Sequence, residues 1–275
     1  MPEGPEIKRA ATRLAKVLAG REIEAAELTL PRLRRHAGGL IGERVESVSA
    51  RGKAIVTAFS HGFYLYSHNQ LYGRWYVKRR GELPSTNRNL RVALHTSTHS
   101  ALLYSASDIE LLDEAQLAAQ PYLMKLGPEA LDPELPWQTI AQRLLDARFA
   151  GRGIGALYLD QGCIAGIGNY LRSELLFEAR LHPSLRPKDL TRGELGRLSR
   201  ATLKITQRAY ETAGTTNPPG RVKKLIREGI TRSGYRHMVF AREAQPCYEC
   251  TAAIERISVS SRRLYLCPRC QPSPV

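Results

Sequence analysis

Four of the five cysteines fall in two close pairs, Cys247-x2-Cys250 and Cys267-x2-Cys270, with 16 residues between the pairs. Two CxxC knuckles at this spacing offer four thiolates as a tetrahedral ligand set, so the segment is expected to fold as a hairpin closed on a metal ion. Four protein ligands leave no open coordination position, which makes one structural Zn2+ the expected occupant. A redox couple and an iron–sulfur cluster are the competing readings of the same pairs. Between the pairs, residues 253–258 and 263–266 alternate as two strands, with Ser260-Ser261-Arg262 at the turn. Cys163 stands apart in a Gly/Ala/Ile-rich segment and reads as a small buried residue.

The chain has 275 residues, room for two modest domains or one large one. Its net charge is +15, from 41 Lys+Arg against 26 Asp+Glu. The excess is uneven: residues 181–275 hold 18 Lys/Arg and 7 Asp/Glu, so about +11 lies in the last third. Such a balance points to a polyanionic partner, with nucleic acid foremost. A ribosome-like or merely basic surface has the same charge signature. No apolar run approaches the roughly 18–20 residues of a membrane-spanning helix. The first residues carry Glu3 and Glu6 and lack an apolar core, so they do not read as a signal peptide, and a cytoplasmic location is expected.

Residues 5–19 read as an amphipathic helix, with Ile7, Ala10, Leu14, Val17 and Leu18 on one face and Gly20 as a stop. Strand-like runs follow at 45–48, 54–59, 63–66, 72–77, 90–94 and 101–104, separated by Arg51-Gly52, His61-Gly62 and a polar loop around Pro84. Residues 108–119 read as helical. The first domain, 2–120, is thus expected to be a β-sandwich closed by the first helix. Four prolines between 121 and 136 mark a linker. Helical patterns at 137–147, 153–161, 169–179 and 189–213 make 137–240 a helical domain, and 241–271 is the zinc hairpin. The class is α+β and multidomain.

Several short segments carry chemistry. Met1-Pro2-Glu3 would, after loss of Met1, expose a secondary amine beside a carboxylate, the pairing that covalent catalysis at a sugar or carbonyl carbon needs. Prolines at this place also simply set the entry of a helix. Ala165-Gly-Ile-Gly-Asn169 joins two helical patterns. Its glycines let backbone amides approach a phosphate at the next helix N-terminus, with Asn169 as an N-cap or phosphate ligand. Gln70, Leu71 and Tyr72 sit at a loop tip between strands, where an apolar wedge can enter a base stack; an ordinary hairpin loop would instead fold one of them inward. Lys53, in a glycine turn, suits phosphate contact or proton transfer, or plain solvation. Arg262 and Arg263 at the hairpin tip can reach a phosphate, or form a solvated basic turn.

Taken together, Met1-Pro-Glu-Gly-Pro-Glu-Ile7, Arg51-Gly-Lys53, Tyr66-Ser-His-Asn-Gln-Leu-Tyr-Gly73, Leu103-Tyr-Ser-Ala-Ser-Asp108, Gly166-Ile-Gly-Asn-Tyr170 and the cysteine pairs resemble the Fpg/Nei family of DNA glycosylase/AP lyases over nearly the whole chain. The resemblance is greatest to the bacterial endonuclease VIII branch. It implies a β-sandwich N-terminal domain with flanking helices, a helical domain with a helix–two-turn–helix motif, and a C-terminal zinc-finger β-hairpin. It also implies a base-excision-repair enzyme working as a monomer on damaged double-stranded DNA in the bacterial cytoplasm, at the nucleoid. Pro2 would be the nucleophile at C1′ and Glu3 the general acid/base. Lys53 would contact phosphate and assist β-elimination, and Arg262 would hold phosphate and support δ-elimination. Gln70, Leu71 and Tyr72 would fill the void left by an everted base, while Asn169 and Lys125 would contact DNA. Lys125 stands where the family often has Arg, which keeps the charge and loses the bidentate fork. Gly4, where formamidopyrimidine glycosylases usually have Leu, and the divergent stretch 213–234 favour oxidised pyrimidines as substrate. A formamidopyrimidine/8-oxoguanine-type purine glycosylase and a non-catalytic zinc-containing DNA-binding protein are the alternatives.

Overall fold

Short strands whose residues alternate between two faces can bury one face only by pairing into sheets and stacking them. The computed structural model describes residues 2–274, so the expected loss of Met1 lies outside the described residues. By packing, the chain divides into two units: Pro2 with Glu6–Lys125, and Glu3–Pro5 with the chain from Leu126 onward.

In the first unit, helix α1 (Gly4–Leu18) precedes β1 (Ala25–Leu28), the single helical turn α2 (Pro31–Arg34), and strands β2 (Val45–Arg51), β3 (Ala54–Phe59), β4 (Tyr64–His68), β5 (Arg74–Arg79), β6 (Leu90–His95), β7 (His99–Tyr104) and β8 (Asp108–Leu112). Two short helices, α3 (Glu114–Ala118) and α4 (Pro121–Met124), follow. The strands form two four-stranded antiparallel sheets, ordered β1-β6-β7-β5 and β2-β3-β4-β8. Side chains from both sheets, including Trp75, Val92, Leu103, Ile55, Leu65 and Ile109, share one core with Ile7, Leu14 and Leu18 of α1. This is the expected sandwich, with α1 as an integral part of its core. All six residues of β3 are buried, because α3 and α4 cover the outer face through Leu117, Tyr122 and Leu123.

One expectation fails here. Residues 108–119 are not one helix: Asp108–Leu112 is the edge strand β8, paired with β4, and only Glu114–Ala118 is helical. Ile109 and Leu112 are buried at a spacing of three, which mimics a helix, and the ladder to β4 decides the matter. Asp113 then starts α3 through a capping box with Gln116.

The second unit contains α5 (Trp137–Leu145), the short α6 (Ile154–Leu157), α7 (Asn169–Ala179), α8 (Arg192–Glu211), α9 (Pro219–Arg227), the short α10 (Arg232–Tyr235), and a hairpin of β9 (Glu255–Val259) with β10 (Arg262–Leu266). Helix α7 is its axis: every residue from Tyr170 to Phe177 is buried, and Leu264 and Leu266 of the hairpin join the same core. Of the described helices, none is long and apolar enough to cross a membrane.

Burying a helix on all sides forces its polar groups to find partners inside. Glu174 is fully buried, and its carboxyl accepts hydrogen bonds from the N–H groups of Met238 (2.7 Å), Val239 (2.9 Å) and Phe240 (2.8 Å), and from the Thr216 hydroxyl. Burial pushes this carboxyl above the usual range, and the four bonds oppose that shift. Glu174→Leu keeps the volume but leaves three backbone N–H groups without their acceptor. We expect a loss of about 3–5 kcal/mol, read as a lower urea midpoint of the zinc-loaded protein. An unchanged midpoint would refute the assigned role.

Candidate active site

The glycine-rich turn before α7 is occupied by the protein's own N-terminal segment. Gly4 N–H donates to the Gly166 carbonyl at 2.7 Å. Glu3, only 3% exposed, accepts at Oε2 from Gly168 N–H (2.8 Å) and Leu171 N–H (3.2 Å), and at Oε1 from Tyr170 N–H (2.8 Å). A carboxylate is the natural occupant of a helix N-terminus, where unpaired N–H groups and the helix dipole both favour an anion. The closeness of approach explains the glycines: a Cβ at Gly168 would lie 2.3 Å from Glu3 Cδ, and one at Gly4 2.9 Å from Gly166 Cα. Gln161 braces the turn, accepting from Gly166 N–H and donating to the Ile167 carbonyl.

Two sequence expectations change accordingly. The amides expected to cradle a phosphate hold Glu3 instead. Asn169 is not the N-cap: Gly168 is, without a side-chain cap of its own, and Asn169 is the first residue of α7. The Asn169 side chain turns to Arg172, whose Nη2–H donates to its Oδ1 at 2.8 Å. Arg172 is fully buried and was not singled out from the sequence. Its Nη1–H donates to the Gly155 carbonyl (2.7 Å), and Nη2–H also reaches the carbonyls of Arg262 and Arg263 (3.3 Å each). Within the second unit, Glu3, Asn169 and Arg262 are therefore gathered around the first turn of α7. Arg262 is not in the turn itself: it opens β10 opposite Val259, and Ser260 and Ser261, both at positive φ, make the two-residue turn. The side chains of Arg262 and Arg263 are exposed.

The four paired cysteines meet as expected. Their Sγ atoms all lie within 4.8 Å of one another, with Cys250–Cys267 at 3.4 Å and Cys247–Cys270 at 4.0 Å. Sulfurs about 2.3 Å from a tetrahedral Zn2+ stand roughly 3.8 Å apart, so the set fits one structural zinc ion. Glu249 N–H and Cys270 N–H donate to the sulfurs of Cys247 and Cys267, the outer bonds that steady thiolate ligands. Cys163 is buried away from them, as expected.

In the first unit, Pro2 lines a cavity of about 260 Å³ together with Glu6, Asn69, Leu71, Tyr72 and Arg88. The loop carrying the expected wedge is held from several sides. Gly73 N–H donates to the Asn69 carbonyl (2.7 Å), Ser107 Oγ–H to Gln70 Oε1 (3.0 Å), and Arg88 to the Tyr72 carbonyl. Gln70 sits at φ 50°, and Gln70 N–H donates to His68 Nδ1. Leu71 and Tyr72 stay 58% and 69% exposed on this fixed frame, so neither folds inward. Lys53 follows Gly52 in the β2–β3 turn, where Gly52 takes φ 59°, and Lys53 N–H donates to the Tyr122 hydroxyl at 2.8 Å. The Tyr122 ring packs edge-on against His68. Burial, and secondarily the nearby Lys53 charge, hold His68 below the usual imidazole range. It is thus neutral, as its acceptor role requires. Lys125 is exposed at the C-terminal cap of α4.

The sequence matches the formamidopyrimidine-DNA glycosylase N-terminal domain over residues 1–107, the H2TH domain of the same enzyme over 126–218, and the zinc finger found in FPG and IleRS over 244–272. It is 44% identical over 271 residues to Endonuclease 8 of Escherichia coli O17:K52:H18, and 44% identical to Endonuclease 8 of Pectobacterium atrosepticum. Each alignment covers 98% of this chain and 100% of the relative. Among solved structures, Lactococcus lactis Fpg bound to DNA containing N7-benzyl-Fapy-dG superposes with a TM-score of 0.80 at 23% identity, covering 99% of this chain and 100% of that one. With the sandwich, the helical unit and the cysteine-tied hairpin in place, and with full-length identity at this level, the chain belongs to the Fpg/Nei family of bifunctional DNA glycosylase/AP lyases.

Proposed function

We propose that this protein removes oxidised pyrimidines from damaged duplex DNA and then cleaves the strand by successive β- and δ-elimination. The observation that carries the mechanism is Glu3, the chain neighbour of Pro2, fixed by three backbone N–H groups at the head of α7. Identity of 44% to Endonuclease 8 along the full length supports the pyrimidine branch. The likeness to Fpg at 23% identity speaks to the fold alone.

In this reading Met1 is removed and the Pro2 nitrogen attacks C1′ of the damaged nucleotide as the N-glycosidic bond breaks. Glu3 acts as general acid/base while the sugar ring opens. A secondary amine forms an iminium that cannot lose its charge by N-deprotonation. That charge acidifies the C2′ proton, and its loss expels the 3′ phosphate. Lys53 contacts phosphate and assists this step. Arg262 holds phosphate for the second elimination, in which the C5′–O bond breaks. Hydrolysis then frees Pro2. Gln70, Leu71 and Tyr72 fill the gap in the stack; their exposure on a braced loop supports that part. Asn169 and Lys125 contact the backbone. The zinc ion, held by Cys247, Cys250, Cys267 and Cys270, is structural: it shapes the hairpin that bears Arg262. The enzyme works as a monomer in the bacterial cytoplasm, at the nucleoid.

Borohydride added during reaction with thymine-glycol duplex should trap a covalent protein–DNA adduct whose peptide map ends at Pro2. A protein with a confirmed Pro2 terminus that yields no adduct would falsify the reading.

Gly168→Ala sets a methyl group against the Glu3 carboxyl. Displacing that group by about 1 Å should cut base excision on the order of 100-fold, with DNA affinity nearly unchanged. Wild-type excision rates in single-turnover assays would remove Glu3 from its role.

Stripping zinc with a strong chelator should weaken DNA binding at least about 10-fold while leaving the first unit folded by circular dichroism. Equal affinity of the metal-free protein would show that the hairpin does not engage DNA.

A further inference from the structure

Arg172 touches two of the residues assigned to the reaction, Asn169 and Arg262, without itself being exposed to a substrate. Its Nη2 bridges the Asn169 side chain and the consecutive carbonyls of Arg262 and Arg263, while Nη1 is anchored on the Gly155 carbonyl. Burial and the Arg262 charge lower its pKa to about 10, with Glu3 opposing, so it stays a cation at neutral pH. Its Nε is buried without a hydrogen-bond partner among the described residues.

A desolvated guanidinium with one N–H unmet is a poor way to gain stability, since an apolar side chain of similar volume often does as well or better there. What an apolar side chain cannot do is fix direction. Arg172 has donors only, so the face of Asn169 turned toward it must be Oδ1, and the Nδ2 hydrogens are left for another acceptor. A phosphate needs just such donors. The same guanidinium grips the backbone of Arg262 where β10 begins, which sets the origin of that side chain relative to Asn169.

We propose that Arg172 is a positioning residue that orients Asn169 and the zinc-hairpin residue Arg262 toward one phosphate, and so governs how far the reaction runs past β-elimination. The proposal rests on the lyase reading above and deepens it.

The test is Arg172→Lys in the zinc-loaded full chain. A lysine keeps the charge but cannot span Asn169, the two hairpin carbonyls and Gly155 together. Duplex with a preformed abasic site is cleaved under single-turnover conditions, and β- and δ-elimination products are resolved. Zinc content and the thermal melt are measured on the same samples. The expected result is near-wild-type zinc and melting, borohydride trapping changed less than about 3-fold, and a δ-to-β product ratio lowered about 10-fold. In an Arg262→Ala background, Arg172→Lys should lower that ratio no further, because the two act as one unit.

A wild-type product ratio in the folded variant, or additive effects in the double variant, would overturn the proposal. Loss of zinc or of the folded state in Arg172→Lys would overturn it too, by making the residue an anchor of the fold. Wild-type enzyme run alongside keeps the readings apart: no cleavage by wild type sinks the lyase reading and this one with it. Wild-type cleavage with an unmoved ratio in the variant counts against Arg172 alone.

Discussion

The carboxylate of Glu3 on the N-terminus of α7 is the interaction around which the rest is arranged. A helix start leaves N–H groups without internal partners, and burying them demands an acceptor. Here the acceptor comes not from the residue before the helix but from the N-terminal segment. The consequences reach outward. Gly4 and Gly168 must lack side chains, Gln161 must hold the turn, and α7 must be buried along its length to keep its first turn fixed. A general acid/base gains from being held before the substrate arrives, because no reorganisation is then left for the reaction step. Capping the helix and positioning the carboxylate proposed as general acid/base are thus one requirement met by one side chain.

That double use also explains what could be read from the sequence and what could not. The cysteine pairs were legible because a knuckle is local: two residues between ligands fix the geometry wherever the rest of the chain goes. The strands of the sandwich were legible from alternation, apart from β1 and β8. β1, Ala25–Leu28, has little β-propensity and exists because β6 pairs with it. β8 carries a helix-like spacing that the ladder to β4 overrides. The glycine-rich turn was recognised as an anion site, but the anion's identity was not local. Its donor groups lie 165 to 168 residues from Glu3, a separation that no window along the chain detects.

Arg172 was invisible for a related reason. An arginine one turn into a helix reads as solvated surface, and arginines are seldom fully buried unless paired. Its partners are a side chain three residues away and carbonyls 90 and 91 residues away. Tyr170–Phe177 carries no apolar run to flag its burial, since Arg172, Ser173 and Glu174 interrupt it; a helix buried on every side buries its polar residues as well, so Glu174 and Arg172 both had to find partners inside, Arg172 through Nη1 and Nη2. Glu174 accepts from Met238, Val239 and Phe240, and Arg172 donates to β10, so the two bind opposite kinds of backbone group around the same helix.

The charge balance takes on a more specific meaning in this light. A net +15, concentrated toward the C-terminus, accounts for attraction to DNA and for nothing finer, since exposed Lys and Arg neutralise phosphates whatever the sequence or damage. In the proposed mechanism, chemistry at one nucleotide depends instead on a few charges, two of them fixed by burial. Glu3 and Arg172 share the first turn of α7, and Arg262 opens the strand whose carbonyls Arg172 grips. In such surroundings a charge interacts more strongly than it does in water, and a small displacement changes that interaction more. In the proposed mechanism, exposed basic residues therefore set how tightly DNA is held, while the buried pair at the head of α7 sets what can be done to the nucleotide once it is there.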